Sequence, residues 1–436
     1  MTRESMDTVT PIVIRNARLL ERERPVNIRI EGGIITRISE EPLTAEGAEV
    51  YDADGGLASP PLVDPHIHLD AVLTEGFPQA NMTGTLIEGI QRWSERKPYL
   101  TPDDVAGRAE EALRWHMVHG VLAIRTHVDV SDPSLTALKT LLTLRERMKP
   151  WLTLQIVAFP QDGIFCTPRG PELLEEAVRL GADAVGGIPH YEWTREDGLR
   201  DVELAFDLAR RYQRAVDIHC DETDDDHSRF LETVANCTRL YHLQGRVTAS
   251  HTTAMGSYND AYAFKLLRLL ARAQVHIVAN PLDNIVLQGR FDTYPKRRGM
   301  TRVKELIEAG VTVAAGHDSI MDPWYPLGSG NQVFVASMLA HVGHLTGRAQ
   351  LPWVWRSITE AGATVMELPK YGIREGAPAS LVVFCEPTIV DVLRLMSRPR
   401  WVFSHGRLLA ETVPAVSTVL WEDERLPVTF LRKDAP

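Results

Sequence analysis

Over its first fifty or so residues the chain alternates apolar and polar positions, as in Ile12-Val13-Ile14-Arg15-Asn16-Ala17-Arg18-Leu19-Leu20 and Asn27-Ile28-Arg29-Ile30, with Glu31-Gly32-Gly33 between two such runs. A period of two with a glycine-bearing turn predicts strands joined by a hairpin, hence a small antiparallel sheet. The pattern then changes. Short apolar runs become separated by stretches of helical spacing, among them Pro102 to His119, Glu172 to Leu180, Val202 to Tyr212 and Tyr262 to Arg272. Eight runs qualify as strands: Leu57 to His68, Leu122 to Val128, Thr153 to Phe159, Ala184 to Pro189, Ala215 to Cys220, Arg246 to His251, His276 to Pro281, and Thr312 to Asp318. Strand and helix in alternation, eight times over, predict an α/β fold with a closed (β/α)8 barrel of the TIM type. Strand-like runs return near the end, at Ala379 to Phe384, Trp401 to Gly406 and Thr418 to Trp421. The simplest topology joins them to the N-terminal sheet, so that a small β-sandwich built from both chain ends flanks the barrel. The expected divisions are 1–58 and 371–436 for the two parts of the sandwich and 59–370 for the barrel.

Composition narrows the chemistry more than the fold. With 436 residues, 44% hydrophobic and 24% charged, the chain is long enough for a large core. Its formal net charge of -11 argues against nucleic acid as the partner, because nucleic-acid surfaces are built from clustered Lys and Arg. Lys296-Arg297-Arg298 is a local exception, expected to pair with nearby acids. Residues 1 to 11 lack an apolar leader core, and no run approaches the roughly 18 to 20 apolar residues of a membrane span. The expectation is a cytoplasmic protein with no membrane partner. Cys166, Cys220, Cys237 and Cys385 lie far apart and form no Cys-x-x-Cys pair, so neither a disulfide framework nor a thiolate zinc cage is expected. The His-x-Glu and Pro-Cys-x-x-Cys signature of the zinc nucleotide deaminases is absent. So is a glycine-rich phosphate loop after the first barrel strand, which an open doubly wound sheet would favour.

Many of the predicted barrel strands end in a polar side chain: His68, His127, Gln161, His190, His219, His251, Asn280 and Asp318 all fall at or just past a C-terminal end. That is where barrel enzymes carry their chemistry. In Asp64-Pro65-His66-Ile67-His68-Leu69-Asp70, positions i and i+2 of a strand leave the same face, so His66 and His68 can chelate one divalent ion. Asp217-Ile218-His219-Cys220-Asp221-Glu222 offers His219 as a third nitrogen ligand and Glu222 as a carboxylate leaning over the pocket without binding metal. Gly316-His317-Asp318-Ser319 ends in a carboxylate able to bind the ion and accept a proton from its water. His251 completes the ring. Residues so far apart in sequence converge only if the barrel closes.

These residues, together with Arg125 to Asp132, Gln155 to Gln161, Thr248 to Met255, Gln288 to Arg298 and Asp322 to Gly328, make the chain resemble the amidohydrolase superfamily and, within it, the bacterial cytosine deaminases over nearly its full length. The resemblance implies one iron or zinc ion held by His66, His68, His219 and Asp318. It implies Glu222 as proton shuttle to a pyrimidine ring, with His251 orienting the reacting water. It further implies that Gln161 meets the ring's amide edge, that the Leu86 backbone meets a ring N–H, and that Trp324 walls the pocket. The reaction expected is hydrolytic deamination of a free pyrimidine base, with no organic cofactor. A homo-oligomer, up to a hexamer, is implied by the same likeness. A binuclear cyclic-amide hydrolase would carry a bridging lysine near the end of the fourth strand, and Ile188-Pro189-His190-Tyr191 has none.

One departure stands out. Where the cytosine deaminases have a second aspartate after the catalytic one, this chain has Ser319. That position lies beside carbon 5 of the pyrimidine in the family. A carboxylate there would crowd a methyl group and be desolvated against it, whereas serine is smaller and uncharged. Burying one methyl is worth about 0.8 kcal/mol, and pockets that discriminate by one carbon commonly reach roughly 1 to 3 kcal/mol. The expectation is deamination of 5-methylcytosine to thymine, with weaker activity on cytosine and room for 5-fluorocytosine. Phe159 is expected to join Trp324 on that side of the pocket. The alternatives are an ordinary cytosine deaminase, an isoguanine deaminase, and a metal-free scaffold of the same fold.

Overall fold

The computed structural model describes residues 10–431; most of the 1–11 stretch, read above as lacking a leader core, lies outside them. The described chain divides into two compact units. One holds the residues through Pro61, the segment Met117–Gly120, and those from Lys370 onward; the other holds Leu62–His116 and Val121–Pro369.

The larger unit is built on an eight-stranded sheet in sequential order. Its strands are β1 (Leu62–Ile67), β2 (Val121–Asp129), β3 (Thr153–Phe159), β4 (Ala184–Val185), β5 (Ala215–Cys220), β6 (Val247–His251), β7 (His276–Ala279) and β8 (Val313–Ala315). Every recorded neighbour pair is parallel. The ring closes where Ile67 bridges Asp318: the His68 N–H donates to the Asp318 carbonyl at 3.1 Å, and the Asp318 N–H to the His66 carbonyl at 2.8 Å. β1, β2, β5, β6, β7 and β8 are buried along their whole length, the mark of parallel strands covered on both faces. The connecting helices follow their apolar spacing: Pro102–Val118, Gly170–Leu180, Arg195–Tyr212 and Asp260–Ala273 each start within a few residues of, or well before, the expected position. Thr194 and Asn259 set two of these starts, their side chains accepting from Asp197 N–H and Tyr262 N–H.

Two expectations change in detail. The run from Leu57 to His68 is not one strand: Ala58–Ser59 belongs to a different sheet from Leu62–Ile67. Pro60 and Pro61 intervene, and neither has an N–H with which to continue a ladder. Nor do the C-terminal strands join the N-terminal sheet. Leu381–Val383, Trp401–Ser404 and Arg407–Glu411 pair antiparallel and add Ala58–Ser59 at their edge. Ile12–Ala17, Val26–Glu31, Ile34–Ser39 and Glu49–Asp52 form a separate sheet, with Glu49–Asp52 alongside Ile12–Ala17 in parallel. Ile12, Ile14, Ile28 and Ile30 from one sheet share a core with Leu381, Val383, Trp401 and Phe403 from the other. The sandwich is thus made of both chain ends chiefly through its core, the backbone linking them at an isolated bridge between Ile34 and Pro378. Gly32 and Gly33, with φ of 57° and 78°, form the expected hairpin turn. Among the described residues, Ser417–Trp421 pairs with Glu424–Val428 alone, as an exposed hairpin. Among the described residues, no helix is long and apolar enough to cross a membrane.

Candidate active site

At the C-terminal ends of the barrel strands a cavity of about 120 Å³ is lined by His68, Leu86, Gln161, His219, Glu222, His251, Asp318, Ser319 and Trp324. His66 lies directly beneath, fully buried, with its Nε2 3.4 Å from Asp318 Oδ1. His68 Nε2 is 3.4 Å from the same oxygen and 3.2 Å from His219 Nε2. Strand alternation accounts for His66 and His68, and the β1–β8 closure brings Asp318 to them. Gly316 permits that closeness: a β-carbon there would come within 2.6 Å of His66 Cβ and of Asn280 Oδ1. His251 and Asp318 both have φ of 70°, a left-handed conformation costly for non-glycine residues and concentrated at functional sites.

The hydrogen-bond network assigns the tautomer of His66. Arg125 and His127 flank the Asp217 carboxylate at 2.9 and 3.2 Å, Ser250 Oγ donates to Asp217 Oδ1 at 3.1 Å, and Ser250 Oγ stands 2.9 Å from His66 Nδ1. With the serine proton committed to Asp217, His66 Nδ1 is the donor, and Nε2 keeps a bare lone pair with no hydrogen-bond partner. A buried imidazole nitrogen left without a donor, facing two further ring nitrogens and a carboxylate oxygen, is the donor set of a divalent transition metal. His66, His68 and Asp318 have ligand atoms all within 4.8 Å of one another, as do His66, His219 and His251. Burial and the surrounding imidazoles hold His219 well below the ordinary histidine range, and burial does the same for His251; metal ligation requires the neutral ring. Burial works against ionisation of Asp318, but the His66 and His251 rings keep its carboxyl well below the usual range.

Glu222 lies across the cavity from this cluster, its Oε1 3.3 Å from His251 Nδ1. Burial, and secondarily the charge of Asp318, push its carboxyl well above the ordinary range. A protonated carboxyl in a buried pocket can serve as a general acid. Asn284 Nδ2 stands 3.0 Å from His251 Nδ1 and orients its ring. Leu86 opens the helix Leu86–Arg96, whose start is set by the Thr85 side chain. Gly89 of that helix packs on Trp324 so tightly that a β-carbon would come within 2.5 Å of its ring. Asp322 Oδ1 accepts the N–H groups of Trp324 and Tyr325 at 3.0 and 3.1 Å and so fixes the turn that presents the indole.

Of the residues expected here, His66 and Phe159 do not line the cavity, and of the two it is Phe159 that departs from its expected place. Its ring stacks on His219 at 3.9 Å and 17°, behind that imidazole and not in the pocket wall beside Trp324. His127 and Asn280, expected at the mouth, lie beneath it: His127 on Asp217, and Asn280 Nδ2 3.3 Å from His251. Two acidic residues were not anticipated. Asp64 is fully buried and its Oδ1 accepts the His317 N–H at 3.0 Å, tying β1 to the loop carrying Asp318. Asp283, in the helix Pro281–Leu287, lines the cavity and accepts the Ser319 hydroxyl at 2.6 Å. Burial and the charges of Asp318 and Asp322 push the Asp283 carboxyl well above its usual range. The available signal for Asp283 was its place just past the end of β7, in Asn280-Pro281-Leu282-Asp283.

A model of the amidohydrolase family matches residues 49–408. The crystal structure of 5-methylcytosine deaminase from Klebsiella pneumoniae liganded with 5-fluorocytosine superposes with a TM-score of 0.90 at 45% sequence identity, covering 92% of this chain and 98% of that one. The same enzyme liganded with phosphonocytosine gives a TM-score of 0.90 at 45% identity, over 93% and 99% of the two chains. The N-isopropylammelide isopropyl amidohydrolase of Pseudomonas sp. (strain ADP) is 28% identical over 411 residues, 92% of this chain and 97% of that protein. The pterin deaminase of Rhizobium rhizogenes is 29% identical over 400 residues, 89% and 88% of the two.

Proposed function

The chain belongs to the amidohydrolase family and is a hydrolytic deaminase acting on C–N bonds, and from that premise we propose that its substrate is free 5-methylcytosine, converted to thymine and ammonia. Weaker activity on cytosine and acceptance of 5-fluorocytosine go with this reading. The observation that carries it is Ser319: its side chain lines the cavity with Trp324, and its hydroxyl is engaged by Asp283, so the position after Asp318 presents a small uncharged side chain where a carboxylate would crowd a methyl group. The 45% identity to an enzyme named for 5-methylcytosine supports the same substrate.

On this proposal His66, His68, His219 and Asp318 hold one iron or zinc ion. Such an ion supplies Lewis acidity that lowers the pKa of a water from about 15.7 toward about 7. The chain's own groups do the rest. Gln161 and the Leu86 backbone orient the ring, and Trp324 covers it. Asp318 accepts the proton of the attacking water while His251 steers it. Neutral Glu222 protonates ring nitrogen 3, so that carbon 4 accepts the attack without burying a negative charge. As the C–N bond breaks, the carbon 4 hydroxyl gives its proton to Glu222, which passes it to the departing amine, and the proton held by Asp318 then returns to Glu222 to restore both carboxyls.

The test is steady-state ammonia release from metal-replete enzyme given 5-methylcytosine, cytosine and isoguanine separately. A higher kcat/KM for 5-methylcytosine is expected. A clear preference for cytosine or isoguanine overturns the substrate assignment, and metal-replete protein that turns over none of the three overturns the deaminase mechanism.

A further inference from the structure

Ser319 does not act alone. Its Oγ donates to Asp283 Oδ2 at 2.6 Å, while Asp283 is 1% exposed, lines the same cavity, and leaves its other oxygen, Oδ1, without a partner. Asp322, which the Ser319 side chain also reaches, accepts the Trp324 and Tyr325 N–H groups through Oδ1. A serine hydroxyl has three staggered positions, and a buried one turns toward whatever partner it can reach. Next to a substrate ring that choice has consequences. Turned inward, the hydroxyl is a polar group at the ring edge and suits an unsubstituted base or a trapped water. Turned away, it leaves only the Ser319 methylene, an apolar surface matched to a methyl substituent.

We infer that Asp283 is a specificity-determining positioning residue: by engaging the Ser319 hydroxyl it holds the polar end of that side chain on its own carboxyl, so that the hydroxyl is not free to turn to the ring edge. The inference rests on the proposed pyrimidine deaminase function and assigns the discrimination to a pair of residues on two barrel loops. It does not depend on the charge of Asp283, since a carboxylate and a carboxylic acid both present an oxygen to Ser319. An asparagine preserves that oxygen; an alanine does not.

The experiment is a double-mutant cycle read as the ratio of kcat/KM for 5-methylcytosine to that for cytosine. Asp283→Ala is expected to lower the ratio by about tenfold, within the range that one misplaced group in a pocket commonly produces. Asp283→Asn is expected to hold it within about twofold. In a Ser319→Ala background there is no hydroxyl to aim, so Asp283→Ala is expected to leave the ratio unchanged. A purely structural role for Asp283 would depress both substrates together and leave the ratio alone. Survival of the wild-type ratio in Asp283→Ala overturns the inference, as does an equal fall in the Ser319→Ala background. Should Asp283→Ala not fold, the Asp283→Asn ratio decides: a fall of more than about fivefold overturns it and retention supports it. Absence of turnover of both bases by the wild type overturns the functional reading, and this inference with it.

Discussion

Replacing Ser319 by aspartate places a carboxyl where the hydroxyl stands, 2.6 Å from Asp283 Oδ2. Two ionised carboxylates about 3 Å apart repel by about 5 to 6 kcal/mol at an effective dielectric of about 20, enough that one of them takes up a proton instead. In either form the new side chain fills the space available to a methyl group. The loss is about 0.8 kcal/mol for the methyl no longer buried plus roughly 1 to 3 kcal/mol for overpacking. The sum, roughly 1.8 to 3.8 kcal/mol, is about a 20- to 600-fold fall in the kcat/KM ratio of 5-methylcytosine to cytosine. The assay is coupled ammonia release at low substrate concentration, on protein matched in metal content and thermal midpoint to the wild type. The crowding of acids also predicts that Asp283→Asn raises the stability of Ser319→Asp. A ratio that moves less than threefold in folded, metal-replete Ser319→Asp refutes the steric and electrostatic argument.

Glu222→Gln should lower kcat by about 10²- to 10⁴-fold, the usual contribution of a positioned general acid, with metal content unchanged; elemental analysis beside the kinetics checks both. His219→Ala removes one donor facing His68 Nε2 and should drop the bound metal well below one ion per subunit after dialysis, with turnover lost in parallel. Burial holds His276 below the ordinary histidine range despite its bond to the Gly245 carbonyl. The unfolded chain therefore binds a proton near pH 6.5 that the folded chain refuses, so this group's contribution to stability is complete above about pH 6.5 and is lost as pH falls toward its folded pKa. Urea unfolding should show a smaller loss between pH 7.5 and 5.5 in His276→Gln than in the wild type, and equal losses would refute that assignment.

The barrel was legible because its evidence is local and repeated: eight apolar runs, each followed by helical spacing and many ending in a polar residue, admit few other architectures. The pairing of His66 with His68 was legible for the same reason, since the two-residue period of a strand decides which side chains share a face. What a period cannot specify is which strand lies beside which when both are short. Ala58–Ser59 pairs with Val382 and Val383, a partnership set by Pro60-Pro61 breaking one ladder and by a core common to both chain ends. Depth behind the first layer is equally invisible. Phe159 has the composition of a pocket wall, yet its ring stacks behind His219, because the residues that reach a cavity depend on backbone curvature at the strand end. Asp283 belongs to no spacing rule. It matters only because the loops after β7 and β8 bring it to Ser319 across 36 residues of chain. The sequence by itself determined the kind of site, through residue types placed at strand ends. The tertiary structure alone decided which hydroxyl is held by which acid, because hydrogen bonds between loops depend on distances of a few tenths of an ångström that no one-dimensional pattern encodes.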